Sequence, residues 1–417
     1  MKEKVVFWLS IGLLFLFRTN AQVSFEHPPP DNIKSIKFYG NETKENFPLV
    51  SLGEKIILLF DDLNGNEVDY YYRIKHFNND WTRSKLFQNE YIDGYDNLRI
   101  EDYSTSFNTI QPYTHYRLEI PNENIQLKVS GNYLLEIYSS FDELVFSRRF
   151  CLYSEQANVQ VAVYRPQNMD RFLTFQSLHF KITPNQNIFR NPEKNIFVHL
   201  IQNRQWDTSI SGLKPQYFSG RTLEYRYEKP SQFEGGNEYY FFDTKDLRTN
   251  GPNISYINRN KLYEIYLNVD IPRVYQEYSY GPDINGGYEI QNIMRPGDPN
   301  TEADYCYIYF SLAANYDNFD GEIYIYGGFN NFLLNDANKM FYNPSLEIYE
   351  GVLLLKQGFY NYKYILKKGE SISKNHVSGS HALAENDYLI LVYYRDIGSQ
   401  YDQLIGFGET NSFELQN

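Results

Sequence analysis

Residues 70–121 read YYYRIKHFNNDWTRSKLFQNEYIDGYDNLRIEDYSTSFNTIQPYTHYRLEIP, and this stretch decides the fold. It opens on strict alternation. Tyr70, Tyr72 and Ile74 fall on one face of a strand, and Tyr71, Arg73 and Lys75 on the other. Asn78, Asn79 and Asp80 then supply turn chemistry, because short polar side chains tolerate left-handed backbone and hydrogen-bond it locally. Trp81 follows, a large amphipathic ring that packs beneath such a turn. Asp93-Gly94 breaks the next segment. Tyr116, Leu118 and Ile120 resume the period of two, and Pro121 stops it. The stretch predicts an aromatic-rich β-unit, and nothing in it looks like a reaction centre.

The flanking sequence extends the pattern. Residues 33–39 read as a first strand. Residues 55–60 are apolar on both faces, as in a central sandwich strand. Asp61-Asp62 and Asn64-Gly65 turn the chain into the Tyr70 strand. Tyr133, Leu135 and Ile137 alternate, as do Leu144 and Phe146. Short strands with turn signals roughly every 8–12 residues predict an immunoglobulin-like or fibronectin-like sandwich that ends near Tyr153. Strand candidates continue at 159–164, 178–182, 196–201 and 239–242, and Tyr263, Ile265, Leu267 and Val269 alternate. Residues 272–301 look like a connecting loop. Beyond it, 305–312, 321–326, 350–355 and 358–364 read as strands of a further unit. The expected organisation is a leader at 1–21, then β-rich domains at 22–155, 156–300 and 301–417. The fold class is all-β, as tandem immunoglobulin-like or fibronectin-like sandwiches.

Composition agrees with that class. At 417 residues the chain is too long for one small core. Tyr and Phe number 40 and 30, and aromatic residues suit pleated, half-buried surfaces better than helices. No stretch has helical periodicity with caps. Lys2 and Lys4, the apolar run at 5–17 and Ala21 form an export signal cut before Gln22, because the run is shorter than the about 20 residues that span a bilayer. No Cys stands at the cut to take a lipid. The net charge of −13 becomes −15 once Lys2, Glu3, Lys4 and Arg18, together +2, are removed. That balance excludes nucleic acid and anionic lipid, which select basic patches. Cys151 and Cys306 are far apart in sequence and read as small buried hydrophobes, although sequence leaves their pairing open.

The segments YYYRIKHFNNDW (70–81), EYIDGYDNLRIEDYSTSFNT (90–109) and YTHYRLEIPN (113–122) resemble the N-terminal domain of the type IX secretion system plug proteins of Bacteroidota. The likeness continues at Ser130-Gly131-Asn132-Tyr133 and Arg148-Arg149-Phe150. It returns in GSHALAENDYLILVYYR (379–395) and YDQLIG (401–406), and is weakest between about 155 and 260. It implies a non-enzymatic periplasmic protein, peripheral to the outer membrane and monomeric when free. Its implied partner is the very large outer-membrane translocon β-barrel (SprA-type), whose periplasmic opening it would close between transport events. No cofactor and no lipid insertion are implied.

A second likeness sits further on. A strand at 321–326, then Gly327-Gly328-Phe329-Asn330-Asn331-Phe332, a hairpin, and Tyr362-Lys363-Tyr364 are similar to early-set immunoglobulin-like domains that bind glycogen. There Phe332 stands where the family stacks a Trp on sugar, Lys363 matches a polar contact, and no second Trp follows. Phe332 and Lys363 are therefore weak glycan candidates, and an envelope glycan-binding or carbohydrate-active protein is the alternative reading.

Other chemistry finds little support. None of the seven His lies in a His-x-x-x-His arrangement, so no metal site is expected. Ser378-Gly379-Ser380-His381 lacks the Gly-x-Ser-x-Gly elbow of a nucleophile. Paired carboxylates such as Asp61-Asp62 read as solvated faces. The excess of Tyr is the remaining signal. Tyr combines large contact area, few rotors and a polar tip, which suits a protein interface. Tyr91, Tyr95 and Tyr103, around the turn at Asp93-Gly94, are the expected exposed patch.

Overall fold

Ile56–Asp62 is buried along its whole length, 56–60 as two apolar faces require. Asp61 and Asp62, expected on a solvated face, are buried too, because Lys356 and Tyr305 donate to the first and Asn32 and Tyr70 to the second. The strand lies between Ile33–Gly40 and Thr114–Ile120 in a four-stranded antiparallel sheet closed by Asp102–Thr105. The facing sheet runs Leu49–Ser51, Leu144–Tyr153, Gly131–Ser139, Tyr70–Phe77 and Leu98–Arg99. Tyr70, Tyr72 and Ile74 point into the core against Tyr116, Leu118 and Ile120, so the alternation read from 70–121 sets the two inner faces. Phe60 stacks on Tyr116 at 4.9 Å and meets Tyr70 edge-on at 5.4 Å. The computed structural model describes residues 26–40, 45–186, 189–313 and 319–416, so the export signal at 1–21 lies outside the described residues.

Gly131 shows why one motif residue is fixed. Its φ is +145°, and a Cβ there would lie 2.5 Å from Nε2 of His76. Only glycine takes this backbone without driving a side chain into the buried imidazole. Burial pulls that imidazole down to about 4, so it is neutral at physiological pH.

Beyond residue 155 the sheets ignore the boundary expected at 300. One sheet of the middle sandwich holds Ala157–Tyr164, Phe175–Pro184, Thr222–Tyr225 and Tyr217–Ser219, with Gln232–Glu234 beside Phe175–Pro184. Its partner sheet runs Ile210–Ser211, Ile196–Gln202, Asp387–Tyr394 and Gln403–Asn411. The last two long strands of the chain thus complete the middle sandwich. Its core joins Leu178 and Phe180 to Ile390, Val392 and Ile405.

The third sandwich is inserted between these halves. Gly358–Lys368 is the centre of one sheet and pairs with Tyr240–Asp243, Tyr288–Ile290, Glu322–Tyr326 and Ser371–Ser373. The other sheet runs Ile254–Arg259, Tyr263–Leu267, Tyr305–Ala313, Ile348–Lys356 and Phe341–Asn343. Residues 272–301 do not link two domains. Tyr263–Leu267 and Tyr305–Ala313 are parallel neighbours, and parallel strands need a crossover of a dozen or more residues. The stretch is that crossover.

Two of the joints between the sandwiches tie the N-terminal one to the others. At the first, Asp61 of the N-terminal sandwich meets Lys356 and Tyr305 of the inserted one. Asp61 Oδ2 accepts from Lys356 Nζ at 2.6 Å and from Tyr305 Oη at 2.7 Å, and His115 Nδ1 lies 2.6 Å from Oδ1. At the second, the 78–81 turn packs on the middle sandwich. Asp402 accepts from the backbone and side-chain nitrogens of Asn79 at 3.0 and 2.7 Å, and Tyr393 Oη donates to Asn132 Oδ1 at 2.7 Å. Trp81 meets Trp206 edge-on at 5.0 Å, and Arg149 lies over both rings. The motifs near residues 131 and 402 therefore meet in space as a joint. Cys151 and Cys306 are both free and buried.

Candidate interaction surface

The outer sheet of the inserted sandwich has two faces set by alternation. Ile265, Leu267, Cys306, Ile308, Phe310, Leu312 and Tyr349 point into the core. The opposite parity therefore points outward, and much of it is aromatic. Tyr256, Tyr266, Tyr309 and Val352 lie side by side across four strands. The next row reads Asn258, Glu264, Tyr307 and Leu354. On the other flank Ser311, Glu350 and Phe341 line up. Tyr256, Phe341, Val352 and Tyr307 are 57, 68, 44 and 40% exposed.

Tyr266 and Tyr309 stack at 4.4 Å, 13° from parallel, and Tyr256 follows at 6.1 Å from Tyr266. Each stacked ring gives one face to its neighbour. Two carboxylates frame the row. Glu264 accepts from Asn258 and Asn260, each at 3.0 Å, and Glu350 accepts from Asn343 at 2.8 Å. Both are held in place by amides, and neither takes part in an ion pair among the described residues. At its other end the same face is covered: Tyr305 and Lys356 are register partners and pack on the N-terminal sandwich.

The patch expected at 91–103 divides. Tyr91 is 2% exposed and belongs to the first core, with His76 at 5.8 Å and Tyr133 at 6.3 Å. It cannot reach a partner, because its one-turn helix, Gln88–Tyr91, turns the ring inward before the chain enters Ile92–Gly94. Tyr95 is 72% exposed. Tyr103 is half-buried, with its ring 5.7 Å from Tyr116 and its hydroxyl donating to Glu67 at 3.2 Å. The three do not form one surface.

Phe332 and Lys363 lie on the seam between the middle and inserted sandwiches. Phe332 takes φ +55° and packs 5.1 Å from Tyr326, whose hydroxyl donates to Asp207 Oδ2 at 2.8 Å. Lys363 is 7% exposed, and its Nζ lies 4.1 Å from the centre of the Tyr239 ring. Burial pulls its ammonium down to about 8, against Asp283 and Glu238. Glu238, Asp283 and Glu385 each bring one oxygen within 4.8 Å of the others. Their oxygens already have donors: Tyr278 Oη on Glu238 at 2.5 Å, the Tyr239 backbone on Asp283 at 2.5 Å and the Asn411 amide on Glu385. Burial, reinforced by Asp387, still pushes Glu385 up to about 7.

The outward parity of Glu264, Tyr266, Tyr307 and Tyr309 follows from the alternation of residues 263–269 and 305–312. What the alternation does not say is which face of an inserted sheet another domain covers. No helix among the described residues is long and apolar enough to cross a membrane.

Comparison with known proteins fits this architecture. No curated protein matches the chain. Residues 33–154 match the family described as Type 9 secretion system plug protein 1st domain. The chain is also similar to a hypothetical protein from Parabacteroides merdae of known crystal structure. The two are 31% identical with a TM-score of 0.87, over 93% of this chain and 99% of that one. The chain belongs to the family of that Parabacteroides protein, and its N-terminal sandwich is of the type 9 secretion system plug kind.

Proposed function

We propose that this protein is a periplasmic plug. It docks on the periplasmic opening of the type IX outer-membrane translocon barrel (SprA-type) and closes it when no cargo is passing. The match of residues 33–154 to the plug first domain carries this reading. Physical features support it. Three sandwiches fixed by buried polar joints make a stiff body that can cover a wide aperture without entering lipid. A reversible cap needs a broad, polar-rimmed contact rather than a deep cleft, and the tyrosine face of the inserted sheet has that character. No catalytic group is invoked.

The alternative, a glycan-binding protein of the envelope, draws on Phe332 and Lys363. Both side chains are engaged within the seam, which favours a scaffold role for them. Purification of the tagged protein from cells blocked in cargo supply tests the plug reading. The translocon barrel should accompany it, and deletion of the gene should raise uptake of large antibiotics. Unchanged permeability together with no barrel in the purified fraction would refute it.

A further inference from the structure

We propose that the outer face of the sheet spanning 254–356 is the docking surface, and that its occupant is an extended protein segment bearing Arg or Lys. This rests on the plug reading and names the contact within it. Three observations carry it. The first is the paving: Tyr256, Tyr307, Val352 and Phe341 expose apolar area across a hydrogen-bonded sheet, where ordering costs little side-chain entropy. The second is the charge. Glu264 and Glu350 sit within that area, fixed by Asn side chains and with no cation paired to them among the described residues. A guanidinium laid across the rows can fork onto a carboxylate and rest on a tyrosine ring, which makes Arg the best-fitting group. The third is continuity. The face runs on from the row at Tyr305 and Lys356, which the N-terminal sandwich already covers. The protein thus uses this same sheet face for one protein contact within the chain.

A second copy of the chain fits poorly. Two such faces brought together would oppose like carboxylates, and the chain carries net charge −13. A sugar polymer fits poorly as well, because Tyr266 and Tyr309 spend a ring face on each other.

The test uses the full-length tagged chain in its own host, with translocon barrel recovery as the readout. Wild type is compared with Glu264→Lys/Glu350→Lys and Tyr256→Ala/Phe341→Ala. A control, Tyr217→Ala/Phe218→Ala, alters exposed aromatics of the middle sandwich (56 and 49% exposed). The charge reversal should cut barrel recovery about tenfold or more, equivalent to about 1.4 kcal/mol. The control should not, and recovery by wild type should fall as salt rises. If a face variant melts early, a photo-crosslinking phenylalanine at Tyr307, which keeps the ring, decides: it should join the chain to the barrel. Equal recovery by wild type and both folded face variants overturns the surface and leaves the plug reading standing. Absence of barrel with wild type overturns both. Crosslinks only between copies of the chain, or peptidoglycan fragments bound and lost in the same variants, also overturn the surface.

Discussion

Lys356→Met is the sharpest test of how the sandwiches are held together. Lys356 is 2% exposed and Asp61 is fully buried, and they belong to different sandwiches. Besides Asp61, the ammonium donates to the Asn300 carbonyl at 2.6 Å and lies 4.1 Å from the centre of the Tyr113 ring. Burial pushes the Asp61 carboxyl upward, but Lys356 and the His115 hydrogen bond outweigh it and hold the group below the usual range. Methionine keeps the length of the stem and removes the charge. Asp61 is then left ionised and dry with two donors, Tyr305 and His115. Breaking a buried pair from one side costs about 3–5 kcal/mol. In the melting of the units it joins, this corresponds to a fall on the order of 10 °C. The assay is thermal and urea unfolding of the purified protein, with Asp61→Asn and the double variant Asp61→Asn/Lys356→Met completing a cycle. The double variant should recover much of the loss, because neither charge then remains uncompensated. A single variant that melts within about 1 °C of wild type, or a double variant as unstable as the sum of the singles, would refute the account.

Four further outcomes are expected. Trp206→Ala removes the partner of Phe47, Trp81 and Arg149, and should lower the urea midpoint by an amount equivalent to about 2–4 kcal/mol. Gly131→Ala should be destabilising by more than about 1 kcal/mol because of its φ and the His76 contact, whereas Gly53→Ala, with open space around it, should be milder. Burial pushes Asp270 up to about 6, against the hydroxyls of Tyr362 and Tyr364 at 2.7 Å each. A folded-state value above the unfolded one gives stability that is full below about pH 4 and lost as pH rises through about 6. Asp270→Asn should therefore flatten that part of the stability profile, and an unchanged difference between the two proteins from pH 4 to 7 would count against it. Burial pushes the Cys151 thiol up to about 12 and also pushes the Cys306 thiol well up. Neither should react with a thiol reagent until the protein is denatured, and the folded protein should show no mass change on reduction.

Local pattern makes the strands legible. The alternation of Tyr70, Tyr72 and Ile74 and the double-sided apolarity of Ile56–Asp62 each report one strand and its burial, which is a short-range property. Connectivity is not legible in the same way. Nothing near Asp387–Tyr394 says that it pairs with Ile196–Gln202 rather than with the sheet just before it. Both are apolar strands, and either pairing would satisfy the period of two. Exposure of Tyr91 fails as an expectation for a related reason: a turn signal at Asp93-Gly94 predicts exposure of its surroundings, but a single helical turn before it returns the ring to the core. The tyrosine face is half legible. Alternation gives the parity of Tyr266 and Tyr309, whereas their approach to 4.4 Å depends on a parallel pairing across a long crossover.

That interrupted topology also orders events in the life of a newly made chain. When Ser371–Ser373 has been synthesised, the inserted sandwich has all its strands, while Ile196–Gln202 still lacks the neighbour that Tyr388 will bring, 186 residues downstream of Gln202. During that interval the nascent chain carries an unpaired apolar strand edge, which is a template for pairing with the wrong molecule. A polypeptide that folded before its final strands arrived would leave that edge without its partner. Trimming the chain at residue 386 would take away the middle of a sheet and the Asp402 clasp on Asn79, so no polypeptide that stops short of those strands should behave as a folded three-sandwich body.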